Sequence, residues 1–191
     1  LKIPLLTSLS LSGVPYVGCD IGGFSGKSEP DVIVKYYRVA LFFPIFRKHK
    51  NKFDSNQEIY SIPDKYRDEV IRTIELRYKF LQYLYTLAEE ASKKGHPIIR
   101  PLCYEFYDDE NAFLINDEYM VGSELLYAPQ IYDDTTRLVY LPKGKWYDWW
   151  SGEEIDGKTW IKTDKEFPIF VRDIEKMKKF INKGPLDKLI R

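Results

Sequence analysis

The sequence predicts an α/β region followed by a small all-β module and a short terminal helix. Three observations carry that prediction. Two short apolar runs bounded by Gly and Pro, 14–21 and 97–102, read as buried strands, and the segments between them read as helical. Past about residue 117 the chain breaks into short β-type runs separated by turn signals. After Arg172 a helical pattern returns.

Taken in order, residues 5–12 read as the end of a buried helix with Gly13 as its left-handed cap. Val14-Pro15-Tyr16-Val17-Gly18-Cys19-Asp20-Ile21 is the first buried strand, and it runs into the flexible turn Gly22-Gly23-Phe24-Ser25-Gly26. Asp20 therefore stands at the C-terminal end of a strand, where α/β folds bind their ligands. Residues 31–46 are apolar and aromatic and read as helical, with Arg47-Lys48-His49-Lys50 and a polar loop after them.

Ser61-x-x-Asp64, with Pro63 in the first turn, reads as a capping box. It opens one long helix to about Lys94, with an apolar stripe of Val70, Ile71, Ile74, Tyr78, Leu81, Leu84, Tyr85 and Ala88. Lys93, Lys94 and Gly95 suit its end. His96–Leu102 is the second buried strand. At this level a TIM barrel, a doubly wound sheet and a fragment of either all remain open.

The β-type runs are 125–129, 137–141, 145–150, 159–162 and 167–171. Asp133-Asp134, Pro142-Lys143-Gly144, Ser151-Gly152 and Asp156-Gly157 mark the turns, a spacing that predicts an antiparallel sandwich. Asp173 can cap a helix whose apolar positions are Ile174, Met177, Phe180 and Ile181, with Gly184-Pro185 as its stop. Such a helix either covers a sheet edge or has no packed role.

Composition narrows the function classes. Of 191 residues, 29 are Lys or Arg and 29 are Asp or Glu, so no basic field favours nucleic acid or an acidic membrane surface. No apolar run is long enough to span a bilayer, and a soluble cytoplasmic protein is the expectation. Aromatic residues reach 16%, which fits sugar stacking and fits an aromatic core equally. Two cysteines, Cys19 and Cys103, make no disulfide framework, and no His/Cys cluster points to a metal. The start at Leu1, directly in an apolar stretch, reads as cut from a longer chain.

Several side chains could carry chemistry. Asp20 could be a base, an acceptor for sugar hydroxyls or a metal ligand; taken alone, the plain reading is an Asp that binds turn amides. His49, with Arg47 two residues away, reads by itself as a surface or supporting histidine. Arg100 and Glu105 are expected to pair with each other or with Asp20, a buried structural pair being the plain reading. Asp108-Asp109-Glu110, Asp117-Glu118 and Asp133-Asp134 read as caps and turns. GxSxG and a phosphate-cradling Gly loop with Lys are both absent from the sequence.

Collinear motifs add a resemblance. Residues 13–24, Gly13-Val14-Pro15-Tyr16-Val17-Gly18-Cys19-Asp20-Ile21-Gly22-Gly23-Phe24, resemble the G-[IV]-P-x-x-G-x-D-I-x-G-F signature of glycoside hydrolase family 31. Phe43-Pro44-Ile45-Phe46-Arg47-Lys48-His49, the helix segment Leu76–Leu87, Gly95–Leu102, Tyr119–Pro129 and Gly144–Asp148 resemble its later motifs in the same order. The resemblance spans roughly residues 1–172. Departures are Gln82 where the family has Pro, Glu58-Ile59-Tyr60 for Glu-Pro-aromatic, and Tyr36-Tyr37-Arg38 near its Arg-Trp-x-Gln. From Asp173 onward the family's Glu-Gly-[SG] continuation is absent.

The resemblance implies the C-terminal segment of a (β/α)8 TIM barrel over residues 1–118, with 14–21 as its seventh strand and 97–102 as its eighth. A small antiparallel β-sandwich over 119–172 and an atypical helical tail over 173–191 follow. It implies a retaining α-glucosidase or α-xylosidase type of hydrolase without cofactor or metal. Retention needs two carboxyl groups about 5–5.5 Å apart. In the family both belong to W-x-D-M-N-E-type and G-D-N motifs, which do not occur in this chain.

No catalytic residue is therefore expected here. Asp20 and His49 match positions that hydrogen-bond sugar hydroxyls, Phe24 matches an aromatic lining the same −1 pocket, and Arg47 supports them. The expected partners are α-glucoside or α-xyloside oligosaccharides, with an N-terminal half or a second copy covering the open barrel edges. The alternative is a non-catalytic carbohydrate-binding or interaction fragment.

Overall fold

The computed structural model describes residues 2–181. Helix α1 (Lys2–Leu11) ends before Gly13, whose φ of +89° takes the left-handed conformation expected of it. Strand β1 (Gly18–Ile21) follows, and then helix α2 (Pro30–Ala40), which starts on a proline and carries Asp31 in its first turn.

The segment expected to stay helical to residue 46 ends instead at Ala40. Leu41, Phe42 and Phe43 are fully buried, and Pro44 disfavours a helical Phe43. The chain then forms strand β2 (Ile45–Lys48), which runs parallel to β1 with Gly18 opposite Ile45 and Asp20 opposite Arg47. The parallel partner of the first strand is thus 45–48, and 97–102 does not fill that place.

Gly18 is required at the contact between these strands, because a Cβ there would run into the carbonyl of Ile45. Cys19 and Phe46 pack toward the helices, and Asp20 and Arg47 lie on the opposite face of the pair.

The long helix expected over 61–94 is two helices, α3 (Asp64–Lys79) and α4 (Leu81–Lys94). Between them Phe80 has φ −92° and ψ 3°, and its buried ring packs between Phe42 and Trp149 at 5.1 and 5.4 Å. The break resets the helical phase. The buried positions are Val70, Thr73 and Leu76 in α3 and Tyr83, Leu84, Leu87 and Ala91 in α4, whereas Ile71, Tyr78, Leu81 and Tyr85 are exposed. The capping box does not form either. Ser61 donates to the carbonyl of Glu58 at 2.7 Å within a 3-10 turn, and Pro63 takes the cap position. Gly95 closes α4 at φ +75°, as expected.

Strand β3 (Ile99–Arg100) is antiparallel to β4 (Tyr119–Val121), so it belongs to the sandwich and not to the barrel pair. The sheet expected to start at 119 therefore already includes 99–100. Two short helices, α5 (Leu102–Glu105) and α6 (Glu110–Leu114), lie between them. The sheet continues with β5 (Leu125–Tyr127). Then come β6 (Arg137–Leu141), β7 (Lys145–Asp148), β8 (Glu154–Asp156), β9 (Thr159–Thr163) and β10 (Ile169–Val171). The larger sheet runs β3-β4-β5-β10-β7-β8, and β6 pairs with β9 in a second sheet.

Alternation along the strands splits the core in two. Tyr119, Val121, Leu125, Tyr127, Ile169 and Val171 face the helices. Met120, Leu126, Phe170 and Trp146 lie on the other face of the larger sheet and pack with Val139 and Leu141 of the second sheet. Both faces are covered, which explains why β4, β5 and β10 are buried along their whole length.

Helix α7 (Ile174–Ile181) starts as expected, with Asp173 Oδ1 accepting the Lys176 amide at 2.9 Å. It packs on α4: Met177 is fully buried and the Phe180 ring lies 5.3 Å from Tyr83. The expected stop at Gly184-Pro185 lies outside the described residues. Among the described residues no helix is long and apolar enough to cross a membrane.

Candidate sugar-binding site

The site grows from the register of β1 and β2. Directly opposed residues of neighbouring parallel strands project to the same face, so Asp20 and Arg47 meet. Arg47 donates to Asp20 Oδ1 from Nε at 3.0 Å and from Nη2 at 2.6 Å. Both bonds fall on Oδ1, so Arg47 does not engage Oδ2. The Asp20 side chain is 20% exposed and that of Arg47 60%, so the pair sits at an open rim and orients the carboxylate more than it stabilises the fold.

Past Ile21 the backbone turns through Gly22 and Gly23, with φ of +84° and +83°, and the Gly23 amide bonds back to the Asp20 carbonyl at 3.0 Å. This turn brings Phe24 over the end of β2, where its ring lies 5.3 Å from that of His49. Both rings are exposed. The four expected residues thus form two contacts, Asp20 with Arg47 and Phe24 with His49, both at the C-terminal ends of the two parallel strands. A groove of about 440 Å³ lined by Arg72, Leu76, Trp150, Glu166 and Phe167 contains none of them.

Other polar groups hold the two loops together, and sequence reasoning did not single them out. The Asn51 amide donates to the Phe24 carbonyl at 2.6 Å, and the Gly26 amide donates to Asp54 Oδ2 at 2.8 Å. Lys48 donates to the Ile21 carbonyl at 2.8 Å and to Gln57 Oε1 at 2.6 Å. Burial lowers the Lys48 ammonium to about 8, with Glu58 opposing that shift and Lys50 adding to it. Gln57 is 2% exposed in a segment whose composition reads as a plain polar loop. No local pattern marks it, since one partner is Lys48 in β2 and the other is the Gly22 carbonyl 35 residues away.

The remaining candidates sit elsewhere. Arg100 pairs with Glu105 and lies 3.6 Å from Glu90, so the structural pair holds and Asp20 is not its partner. Asp117 and Glu118 serve Arg137 in the sandwich, Asp109 caps α6, and Asp133 pairs with Lys35. Burial pushes the Glu118 carboxyl up to about 8. Among the described residues no group of three or more His, Cys, Asp or Glu could hold a metal ion.

A hydrogen-bond acceptor fixed by a guanidinium beside a pair of flat rings is suited to a pyranose, which offers hydroxyls at its edge and apolar faces. Its place at the ends of parallel strands, ahead of an antiparallel sandwich, fits the closing part of a barrel. The chain belongs to glycosyl hydrolase family 31. The family's TIM-barrel domain model matches residues 1–87, and its C-terminal domain model matches residues 95–174.

It is 52% identical over 179 residues to an alpha-glucosidase of Saccharolobus solfataricus, covering 91% of this chain and 26% of that one. It is 36% identical over 181 residues to an alpha-xylosidase of the same organism, covering 90% of this chain and 24% of that one. A Flavobacterium johnsoniae dextranase of the family, solved in complex with isomaltotriose, superimposes with a TM-score of 0.83 at 32% identity, covering 90% of this chain and 22% of that one. The chain thus spans about a quarter of the length of the first two relatives.

Proposed function

We propose that this chain supplies the sugar-binding half of the −1 subsite of a retaining α-glycosidase of the α-glucosidase or α-xylosidase type. The observation that carries the proposal is the convergence of the Asp20–Arg47 pair with the Phe24–His49 pair at one strand end. Asp20 Oδ2 accepts a sugar hydroxyl, His49 hydrogen-bonds a second, and the Phe24 ring stacks against the pyranose. Hydrolysis itself belongs to the complete protein. The family's nucleophile and acid/base motifs do not occur among these 191 residues, and retention needs both carboxyl groups.

The test compares two preparations on an aryl α-glucoside: this chain alone, and this chain fused behind the preceding barrel segment of the Saccharolobus alpha-glucosidase. We expect no turnover by the chain alone and turnover by the fusion. In the fusion, Asp20→Asn should lower kcat/KM by about a hundredfold, as loss of a transition-state hydrogen bond to a charged acceptor requires. Turnover by the chain alone, or an Asp20→Asn fusion that matches its parent, would sink the proposal.

A further inference from the structure

The loop that carries Phe24 has a buried anchor. Gly22 approaches Lys48 and Gln57 so closely that a Cβ at this position would lie 2.5 Å from both Nζ and Oε1. Lys48 Nζ bridges the Ile21 carbonyl and the Gln57 amide oxygen, and Gln57 Nε2 reaches the Gly22 carbonyl at 3.4 Å. The Ser28 hydroxyl donates to that same carbonyl. Lys48 and Arg47 are adjacent, so their side chains leave β2 on opposite faces. One grips Asp20 at the rim, and the other grips, from behind, the backbone that follows Asp20.

We propose that half-buried Lys48 and buried Gln57 form a strut that fixes the Gly22–Phe24 turn and so sets Phe24 in register with His49 and with the Asp20–Arg47 pair. They are positioning residues, and the inference rests on the sugar-site reading above only for its functional meaning. A lysine stem and a buried amide are well suited to this task. The ammonium donates to the Ile21 carbonyl and to the Gln57 amide oxygen, and the amide accepts from Lys48 while donating to the Gly22 carbonyl. Two consecutive residues at positive φ and free of side chains give the turn little stiffness of its own, so the strut adds to the bonds from Ser28, Asn51 and the Gly23 amide.

The test is made on the full chain without sugar, so its outcome is independent of whether sugar binds. Nuclear Overhauser contacts between the Phe24 and His49 rings, and amide exchange of Gly23 and Asn51, report the turn. The Trp146 indole and the amides of 137–141 report the sandwich. Lys48→Met, which keeps most of the unbranched stem and removes the donors, should abolish the ring contact. It should speed Gly23 and Asn51 exchange by about tenfold while the sandwich signals stay unchanged.

Gln57→Leu should do the same, and Gln57→Glu, which retains the acceptor for Lys48 but not the donor to the Gly22 carbonyl, should recover part of the ring contact. Unchanged ring contacts and exchange in Lys48→Met would overturn the proposal. So would a Gln57→Glu variant no better than Gln57→Leu. If Lys48→Met does not fold, the two Gln57 variants decide the question by themselves.

Discussion

The phenol of Tyr127 in β5 donates to the main-chain carbonyl of Arg38 in the last turn of α2, at 2.9 Å. Tyr119 does the same for the carbonyl of Val39 at 2.9 Å, and Arg77 reaches the carbonyls of Leu41 and Pro44 at 2.7 and 3.3 Å. The end of a helix leaves its last carbonyls without intrahelical partners. Here the Arg38 carbonyl takes the Leu41 amide at 3.2 Å, and the sandwich and α3 add side-chain donors to it and to the carbonyls that follow, where the chain leaves α2 and enters β2. The position of Arg47 and His49 thus depends on hydroxyls that lie beyond residue 118.

Tyr127→Phe leaves the Arg38 carbonyl buried without this donor and should cost about 1–2 kcal/mol of unfolding free energy by urea denaturation. Tyr85→Phe, at a position 60% exposed, should cost nothing measurable. Equal stabilities of Tyr127→Phe and the parent chain would show that water replaces the phenol freely.

Two glycines in one loop separate backbone strain from crowding. Gly26 has φ +85° and open space where a Cβ would go, so Gly26→Ala should cost only the left-handed strain, about 1 kcal/mol. Gly22→Ala carries the same strain and also drives a methyl into Lys48 and Gln57, and should cost about 3 kcal/mol or more. Similar thermal midpoints for the two variants would contradict the close approach.

Glu118 makes stability depend on pH. Its Oε1 accepts the Tyr140 amide at 2.8 Å and lies 3.6 Å from Arg137, and its Oε2 is buried without a partner. Burial raises this carboxyl from its ordinary 4.5 to about 8. The folded state therefore holds a proton that the unfolded chain releases. Stability from this group is fully present below about 4.5 and is lost as pH rises toward 8, with a slope of at most about 1.4 kcal/mol per pH unit. Glu118→Gln keeps the acceptor and removes the ionisation. Its stability relative to the parent chain should climb across that window and level off above it. Parallel urea curves at every pH would refute the assignment.

Met177 tests the terminal helix. Its side chain is fully buried in the core shared with α4, so Met177→Ala should cost about 2–4 kcal/mol. Met177→Leu, which roughly conserves volume, should cost less than about 1.5 kcal/mol. An Ala variant as stable as its parent would mean that α7 adds nothing to the fold.

Much of the site was legible in the residues. The Asp20 strand end and its glycine turn are local features, and each needs only its own few residues to declare itself. Gly95, Asp173 and β6 were legible for the same reason: a left-handed cap, an N-cap and a strand between two turns are all short-range. Strand β2 was not. Ile45-Phe46-Arg47-Lys48 continues an apolar run, alternates too briefly to show a period, and becomes a strand because β1 lies alongside it. The break at Phe80 was hidden likewise, since it answers to Phe42 and Trp149 and not to any helix breaker nearby.

The sequence by itself determined which family this chain resembles, which four side chains are the candidates for sugar contact, and that a sandwich follows an α/β unit. The α/β unit and the sandwich rest on residue type and on spacing along the chain, and the four candidates rest on the resemblance that the collinear motifs carry. Tertiary structure alone decided that β2 is the parallel neighbour of β1, that 99–100 joins the sandwich sheet, and that Lys48 and Gln57 stand behind the site. Each of these depends on which distant segments pack together. Pairing partners are chosen by the register and burial of the whole assembly, and that information is not carried by any one stretch of residues.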